Sequence, residues 1–365
     1  MNPFIVITLI LVVVSYLGST RISIQSNYMS KKKYSIVFTL EKAICIFLLF
    51  IFWALTAFRS INIGNDTKNY VGVFNTISQR GLIPNFYMER GYQYINLLIS
   101  KIFGSNPHIF LLSCATVSYI GITVFILRKS KNYYLSVCLS FCLLFSCYTN
   151  TIRQGLAMIL GVIVYQLISN NRRMAAICII LLATSIHSTA VILFTLFLYK
   201  FIPRKYSTII MISIFLLAIS MTGALNAIFY QIVPRGKDYF ISERVTSGYL
   251  ALSYELIRDM FFCFLAYKSY KNMYDLEGIK RRLTLFTIPT FISCLSFNMN
   301  LLSRANGYFW IIMIVELPNV LYDLDQKKRK RYAWYICVVM LAYFLLIQII
   351  RPEWNHLVPY EFWRN

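Results

Sequence analysis

Charge is scarce in this sequence: 14% of the 365 residues are charged, against 58% hydrophobic, and the mean hydropathy is +0.61. That balance excludes a soluble globular domain, because the apolar runs are long enough to cross a bilayer. No Gly-rich phosphate loop, zinc-ligand spacing or serine-nucleophile motif appears, so the chemistries that depend on them lack their signatures. A magnesium-type site wants carboxylates beside phosphate oxygens, and Asp66 is the only carboxylate in its stretch before Glu89. No metal and no cofactor are expected. The nine cysteines fall nearly all inside apolar segments, where a thiol behaves as a small hydrophobe, so neither a disulfide framework nor a metal cluster is expected. The run Pro3 to Gly18 lacks the basic leader and small-residue cleavage site of a signal peptide and is kept as a span. There is no internal repeat, linker or low-complexity region, and residues 1–365 read as one polytopic domain.

What charge there is leans strongly one way, to a formal net of +22. The basic residues stand in short clusters between apolar segments, which is the pattern of the positive-inside rule rather than of a nucleic-acid surface. Reading each cluster as cytoplasmic gives an all-α membrane protein of about ten transmembrane helices with both termini outside. A long outer loop, 58–106, separates spans two and three, and Tyr92 to Phe103 within it reads as a surface-lying helix. A second outer loop is expected at 230–248.

One apolar segment breaks the alternation. Residues 174–199 are flanked by Arg172 and Arg173 on one side and by Lys200, Arg204 and Lys205 on the other, so both ends are expected in the cytoplasm. Two full crossings need roughly 20 residues each, so a re-entrant hairpin is expected. Its polar island, Thr184 to Thr189, puts His187 at the tip, and irregular backbone at that depth requires burial in protein or a wet cavity.

With this topology the outer side and outer span ends carry ten arginines (59, 80, 90, 153, 235, 244, 258, 304, 351 and 364) and three lysines, while the inner side carries nine arginines and fourteen lysines. Orientation needs only positive charge inside and does not account for an arginine-rich outer face. The guanidinium fork binds phosphate oxygens bidentately, whereas lysine is a point charge, so an anionic, diphosphate-bearing ligand is expected outside. Arg153 opens an apolar helix whose next positions on the same face, Ala157 and Gly161, are small enough for close packing. Arg304 and Tyr308 repeat that arrangement at the head of another span. Glu255, Arg258 and Asp259 share one helix face, which fits a substrate role for Arg258 as well as it fits an internally compensated ion cluster.

The motifs FRS and GNDTKNY (Arg59, Asp66, Tyr70), ERGY (Glu89, Arg90, Tyr92), NTIRQGLA (Arg153), SIHSTA (His187), SRANGYF (Arg304, Tyr308) and VPY, in this order over nearly the whole chain, resemble the EpsG family, Wzy-like polymerases of bacterial exopolysaccharide, capsule and O-antigen. The resemblance implies a multi-pass enzyme of the bacterial cytoplasmic membrane that joins oligosaccharide repeat units carried on undecaprenyl diphosphate at the outer leaflet. It implies that substrate and membrane lipid as partners, with a flippase and a chain-length regulator beside them and no nucleic acid. Arg59, Arg153 and Arg304 would stabilise the departing diphosphate. His187 or Asp66 would take the acceptor proton. Tyr70, Tyr92 and Tyr308 would stack on or hydrogen-bond to sugars, with Glu89, Arg90 and Arg258 as further contacts. A lipid-linked oligosaccharide flippase, a polysaccharide ligase and an O-acyltransferase are the rival readings. The long outer loop and the missing repeat count against the first, and the absence of any histidine before His108 counts against the last.

Overall fold

The computed structural model describes residues 3–25, 31–223, 249–270, 276–297 and 300–363. The expected loop 230–248 therefore lies outside the described residues. Those described form helices without a sheet: α1 (Pro3–Gln25), α2 (Lys31–Ala57), α3 (Thr67–Arg80), α4 (Arg90–Phe103), α5 (Pro107–Lys129), α6 (Tyr133–Asn150), α7 (Ile152–Ser169) and α8 (Arg173–Ile186). A 3₁₀ helix (Ser188–Phe201) follows, then α9 (Tyr206–Met221), α10 (Tyr249–Ser269), α11 (Leu276–Leu295), α12 (Gly307–Tyr322) and α13 (Gln326–Ile350).

The chain is a helical membrane protein. Among the described residues five helical stretches are long and apolar enough to cross a bilayer: Leu40–Ala57, Pro107–Lys129, Tyr133–Asn150, Ile152–Ser169 and Gln326–Ile350. That is fewer than the expected ten or so, and the reasons are local. α8, the 3₁₀ helix and α9 are apolar but short; α10 carries Glu255, Arg258 and Asp259; α11 opens with Glu277, Lys280, Arg281 and Arg282. Caps fix several starts. Asn106 accepts from the His108 amide at 2.9 Å with Pro107 in the first helical position of α5, and Asn132 accepts from the Leu135 amide of α6 at 3.1 Å.

α12 is the centre of the bundle. Its side chains from Ile311 to Val315 are completely buried, and it touches α5, α6, α7, α10, α11, α13 and the 3₁₀ helix. Apolar side chains on α2, α5 and α13, such as Phe47, Ile120 and Val339, point outward, as a bilayer-facing belt requires.

The segment after α7 folds back on itself, turning at His187, whose backbone is extended. Arg173 at the start of α8 donates to the Tyr199 hydroxyl near the end of the 3₁₀ helix at 3.2 Å, so the two arms run antiparallel. The 3₁₀ arm buries Ala190, Leu193, Leu196 and Tyr199, one residue in three, which stacks them in a straight line because that helix has about 3 residues per turn. Gly161 of α7 leaves room for Leu193: a Cβ there would lie 3.3 Å from it.

Polar contacts gather the helix ends into two groups. Around the base of the hairpin, Arg281 donates to the Ser169 carbonyl at 2.8 Å and to Asn171 at 2.6 Å, while Asp323 pairs with Arg282 at 2.9 Å and Lys131 at 3.3 Å. The opposite end holds His187, the 58–106 segment and the C-terminal tail. The tail runs back along the start of that segment, with Ser60 donating to the Glu361 carbonyl at 2.9 Å and Trp363 to the Phe58 carbonyl at 2.8 Å.

The 58–106 segment is more ordered than a loop. Besides the expected surface helix, which starts at Arg90 rather than Tyr92, it contains α3, which sequence reading did not anticipate. α4 is turned with its polar side inward: Gln93 and Asn96 are buried, while Tyr94, Leu98, Ile102 and Phe103 are exposed along one stripe. Gln93 is satisfied locally by the Ile83 amide and the Met88 carbonyl, and Asn96 donates to the Tyr92 carbonyl at 2.7 Å. The exposed stripe suits a helix lying in the membrane interface.

Candidate functional site

Glu89 occupies the N-cap position of α4 in extended conformation, which throws its carboxylate forward instead of back onto its own helix. One oxygen accepts the Ser188 amide N–H at 2.8 Å, and the other pairs with Arg153 at the head of α7. His187 Nδ1 lies 3.5 Å from the first oxygen, close enough for electrostatic pairing and longer than a well-formed hydrogen bond. Arg153 also reaches Met88 Sδ at 3.0 Å and acts electrostatically on Tyr70. Tyr308, at the head of α12, meets Thr189 Oγ1 at 3.2 Å. Close approach of α4 to the hairpin depends on Gly91, where a Cβ would sit 2.6 Å from the Ser185 carbonyl oxygen.

The electrostatics of this cluster follow from who faces whom. Burial alone would raise Glu89, but His187, the Ser188 amide and Arg153 outweigh it and hold the carboxyl at about 2. Asp66 behaves oppositely: burial raises it, and Arg304 and Arg153 only partly offset that. Burial likewise pushes Tyr70 up to about 12. Glu89 is thus a permanent anion that positions its neighbours, and Asp66 is a carboxylate with increased affinity for a proton.

A cavity of about 950 Å³ opens beside this cluster, bounded by α6, α10, α12, α13, the head of α7 and the tail around Glu353 and His356. Asp66, Arg258 and Arg304 stand on its wall. Gln154, next to Arg153, fixes Arg304 by donating to its carbonyl at 2.6 Å. Arg304 is exposed, and no carboxylate pairs with it among the described residues. Arg258 differs: it pairs with the fully buried Asp259 at 2.9 Å, which in turn accepts from Ser293 at 2.7 Å.

The structure brings together His187, Arg153, Glu89, Tyr70 and Tyr308 in the cluster, and Asp66, Arg304 and Arg258 on the cavity wall. Three expected site residues stand apart. Arg59 is 1% exposed, and its guanidinium is taken by the backbone carbonyls of Thr56 and, at 3.2 Å, Thr149, so it ties α2 to the end of α6. Tyr92 is fully buried behind Tyr70, with ring centres 5.9 Å apart. Arg90 is exposed on the first turn of α4. The sequence places Glu89 with the sugar contacts and gives no role to Gly91, Trp310 or Gln348; the two last line the cavity from the first turn of α12 and the last turn of α13, where only a polar atom amid hydrophobes could have marked them.

Residues 42–362 match the model of the EpsG family, a stretch that includes every residue of the cluster and of the cavity wall named above. The chain belongs to the EpsG family. EpsG membership and the apolar helices together make it a multi-pass membrane protein of polysaccharide biosynthesis. Comparisons with curated proteins and with solved structures give no match, so the EpsG assignment rests on the family model.

Proposed function

We propose that this EpsG-family protein polymerises undecaprenyl-diphosphate-linked oligosaccharide repeat units into a cell-surface polysaccharide at the outer leaflet of the bacterial cytoplasmic membrane. The observation that carries the reading is the convergence of Glu89, Arg153 and His187 beside a cavity walled by Asp66 and Arg304.

In the reaction, the hydroxyl of an incoming repeat unit attacks the anomeric carbon of the growing chain. A new glycosidic C–O bond forms, and the C–O bond to the lipid diphosphate breaks with its electron pair leaving on the diphosphate. His187 takes the hydroxyl proton on Nε2, because Glu89 faces Nδ1 and orients the ring. Arg304, with Arg153 behind it, stabilises charge on the departing diphosphate through preorganised guanidinium groups. Glu89, held at about 2, is too weak a base for the task and serves to position the other two.

The accompanying topology is about ten crossings, with 174–199 re-entering from the cytoplasm and both termini and the 58–106 segment outside. What supports it is the clustering of Arg173, Lys280, Arg281 and Arg282 around the base of the hairpin and of the reactive residues at its tip. A flippase supplying repeat units and a chain-length regulator are the proposed partners.

The test is His187→Ala in cells, with membrane insertion verified. Lipid-linked repeat units are expected to accumulate unjoined on the outer leaflet. Accumulation on the cytoplasmic face would instead identify a flippase, and normal polymer would remove His187 from the chemistry.

A further inference from the structure

We infer that the cavity between α10, α12 and α13 is a saccharide subsite in which Glu255, Trp310 and Gln348 read the hydroxyl groups of a sugar ring. The inference rests on the polymerase reading for its substrate class, but on different residues for its evidence.

Gln348 is 3% exposed, lines the cavity, and has no hydrogen-bond partner for either its amide oxygen or its amide nitrogen among the described residues. Trp310 and Glu255 line the same cavity, and Trp310 Nε1 and Glu255 Oε2 are likewise buried with no hydrogen-bond partner among the described residues. Buried polar groups are nearly always satisfied, and leaving them unmade destabilises the fold. Three of them on one cavity wall therefore point to something that fills it.

The donor and acceptor types narrow what that is. A carboxyl oxygen of Glu255 accepts, Trp310 only donates, and Gln348 does both. A sugar hydroxyl donates once and accepts twice, so a ring of adjacent hydroxyls answers all three. A fully ionised phosphate, which only accepts, would leave Glu255 Oε2 and the Gln348 amide oxygen without a donor. Arg258 on this wall is already paired with Asp259 and lies over the Trp310 ring at 4.6 Å. A flat aromatic surface is also present: Tyr343 lines the cavity, stacked on Tyr254 with ring centres 3.4 Å apart. The volume, about 950 Å³, lies toward the upper end of the roughly 300–1,000 Å³ of ordinary ligand sites. Asp66 and Arg304 share this wall, and Gln154, next to Arg153, also lines it and donates to the Arg304 carbonyl at 2.6 Å, so the cavity reaches the residues beside the cluster.

The experiment uses the purified full chain in lipid nanodiscs, titrated with oligosaccharide released by partial hydrolysis of the host's own surface polysaccharide. Inorganic pyrophosphate is titrated in parallel. Wild type and Gly72→Ala are expected to bind the oligosaccharide equally, whereas Gln348→Leu and Glu255→Gln bind it roughly tenfold more weakly or worse. Gln348→Leu should also unfold at the same or a higher temperature than wild type, because it removes unsatisfied groups; a residue with a purely structural role would lower it. Unchanged affinity in both variants, no binding by wild type, or displacement of the oligosaccharide by pyrophosphate would overturn the subsite. Tight, Gln348-dependent binding combined with normal polymer from His187→Ala would leave the subsite standing and remove the proposed chemistry, so the two ideas fail separately.

Discussion

The carboxylate of Glu89 accepts the backbone N–H of Ser188 at 2.8 Å, joining two points 99 residues apart in sequence. Ser188 follows His187 directly, so this bond and the Arg153 pair set where the imidazole stands relative to the 58–106 segment. The cluster is therefore a docking contact as well as the proposed site, so docking and the proposed chemistry meet at one carboxylate.

That coupling has a pH signature. Glu89 is lowered from 4.5 to about 2 by its partners. A depressed carboxyl contributes stability that is complete above its unfolded value and is lost as pH falls toward the folded one. The unfolding temperature of wild type should accordingly exceed that of Glu89→Gln by a constant margin from pH 8 to pH 5, with the margin shrinking below about pH 4. A thermal unfolding series in nanodiscs reads this. A margin that shrinks between pH 8 and pH 6 would show that Glu89 is not the anion that ties the hairpin down.

Two arginine-to-lysine exchanges separate gripping a substrate from holding the fold. Arg153→Lys keeps the charge and the approach to Glu89 but removes the fork, so polymer yield is expected to fall by roughly tenfold or more while the protein inserts and unfolds nearly as wild type does. Arg59→Lys should do the reverse. Its guanidinium spans the Thr56 and Thr149 carbonyls in a buried site, so the exchange lowers the unfolding temperature, and whatever protein remains folded polymerises normally. Equal yields from Arg153→Lys and wild type would demote Arg153 to a structural partner of Glu89.

Gly91 tests the close approach of α4 and α8. Its Cβ would meet the backbone of Ser185, which cannot swing aside, so Gly91→Ala is expected to cost about 1–3 kcal/mol and to disrupt the site. Gly72, in α3, has nothing within 4 Å of the same added atom, and Gly72→Ala should be neutral or slightly stabilising. Parallel unfolding and polymer assays on the two variants check it. Equal behaviour would mean that α4 and the hairpin do not need to touch.

Several of these features were legible in the sequence because they are local. The apolar runs, their basic flanks and the polar island around His187 are read from adjacent residues. α3 was legible too, since Tyr70, Val71, Phe74 and Ile77 repeat at helical spacing and are all buried, but the charges flanking them, Asp66, Lys68 and Arg80, read as a ligand-gripping loop. The contact of Glu89 with Ser188 was not legible, because no local pattern encodes a meeting across that distance. Nor could the sequence divide the arginines: Arg59 and Arg153 head similar motifs, and only packing decides that carbonyls occupy one guanidinium and a carboxylate the other. The unpartnered Gln348 depends on three helices converging and is visible only once they do.

The hairpin itself is tested by sidedness. Arg173 and Tyr199 touch, so the residues just outside the hairpin, Arg172 and Lys205, leave from the same end of the bundle, while Lys68, in the first turn of α3, is at the other. Single cysteines at these positions are labelled with a membrane-impermeant maleimide in intact cells and in inverted vesicles, and the background from the nine native cysteines is subtracted using the unmodified chain. Arg172→Cys and Lys205→Cys should both react only in inverted vesicles, and Lys68→Cys only in intact cells. A full crossing between Arg172 and Lys205 would instead put them on opposite sides, reverse the sidedness of every later helix, and carry Arg304 and the cavity away from the Glu89 face. Because Gln154 fixes Arg304 beside Arg153 at 2.6 Å, that outcome would contradict the fold as well as the topology.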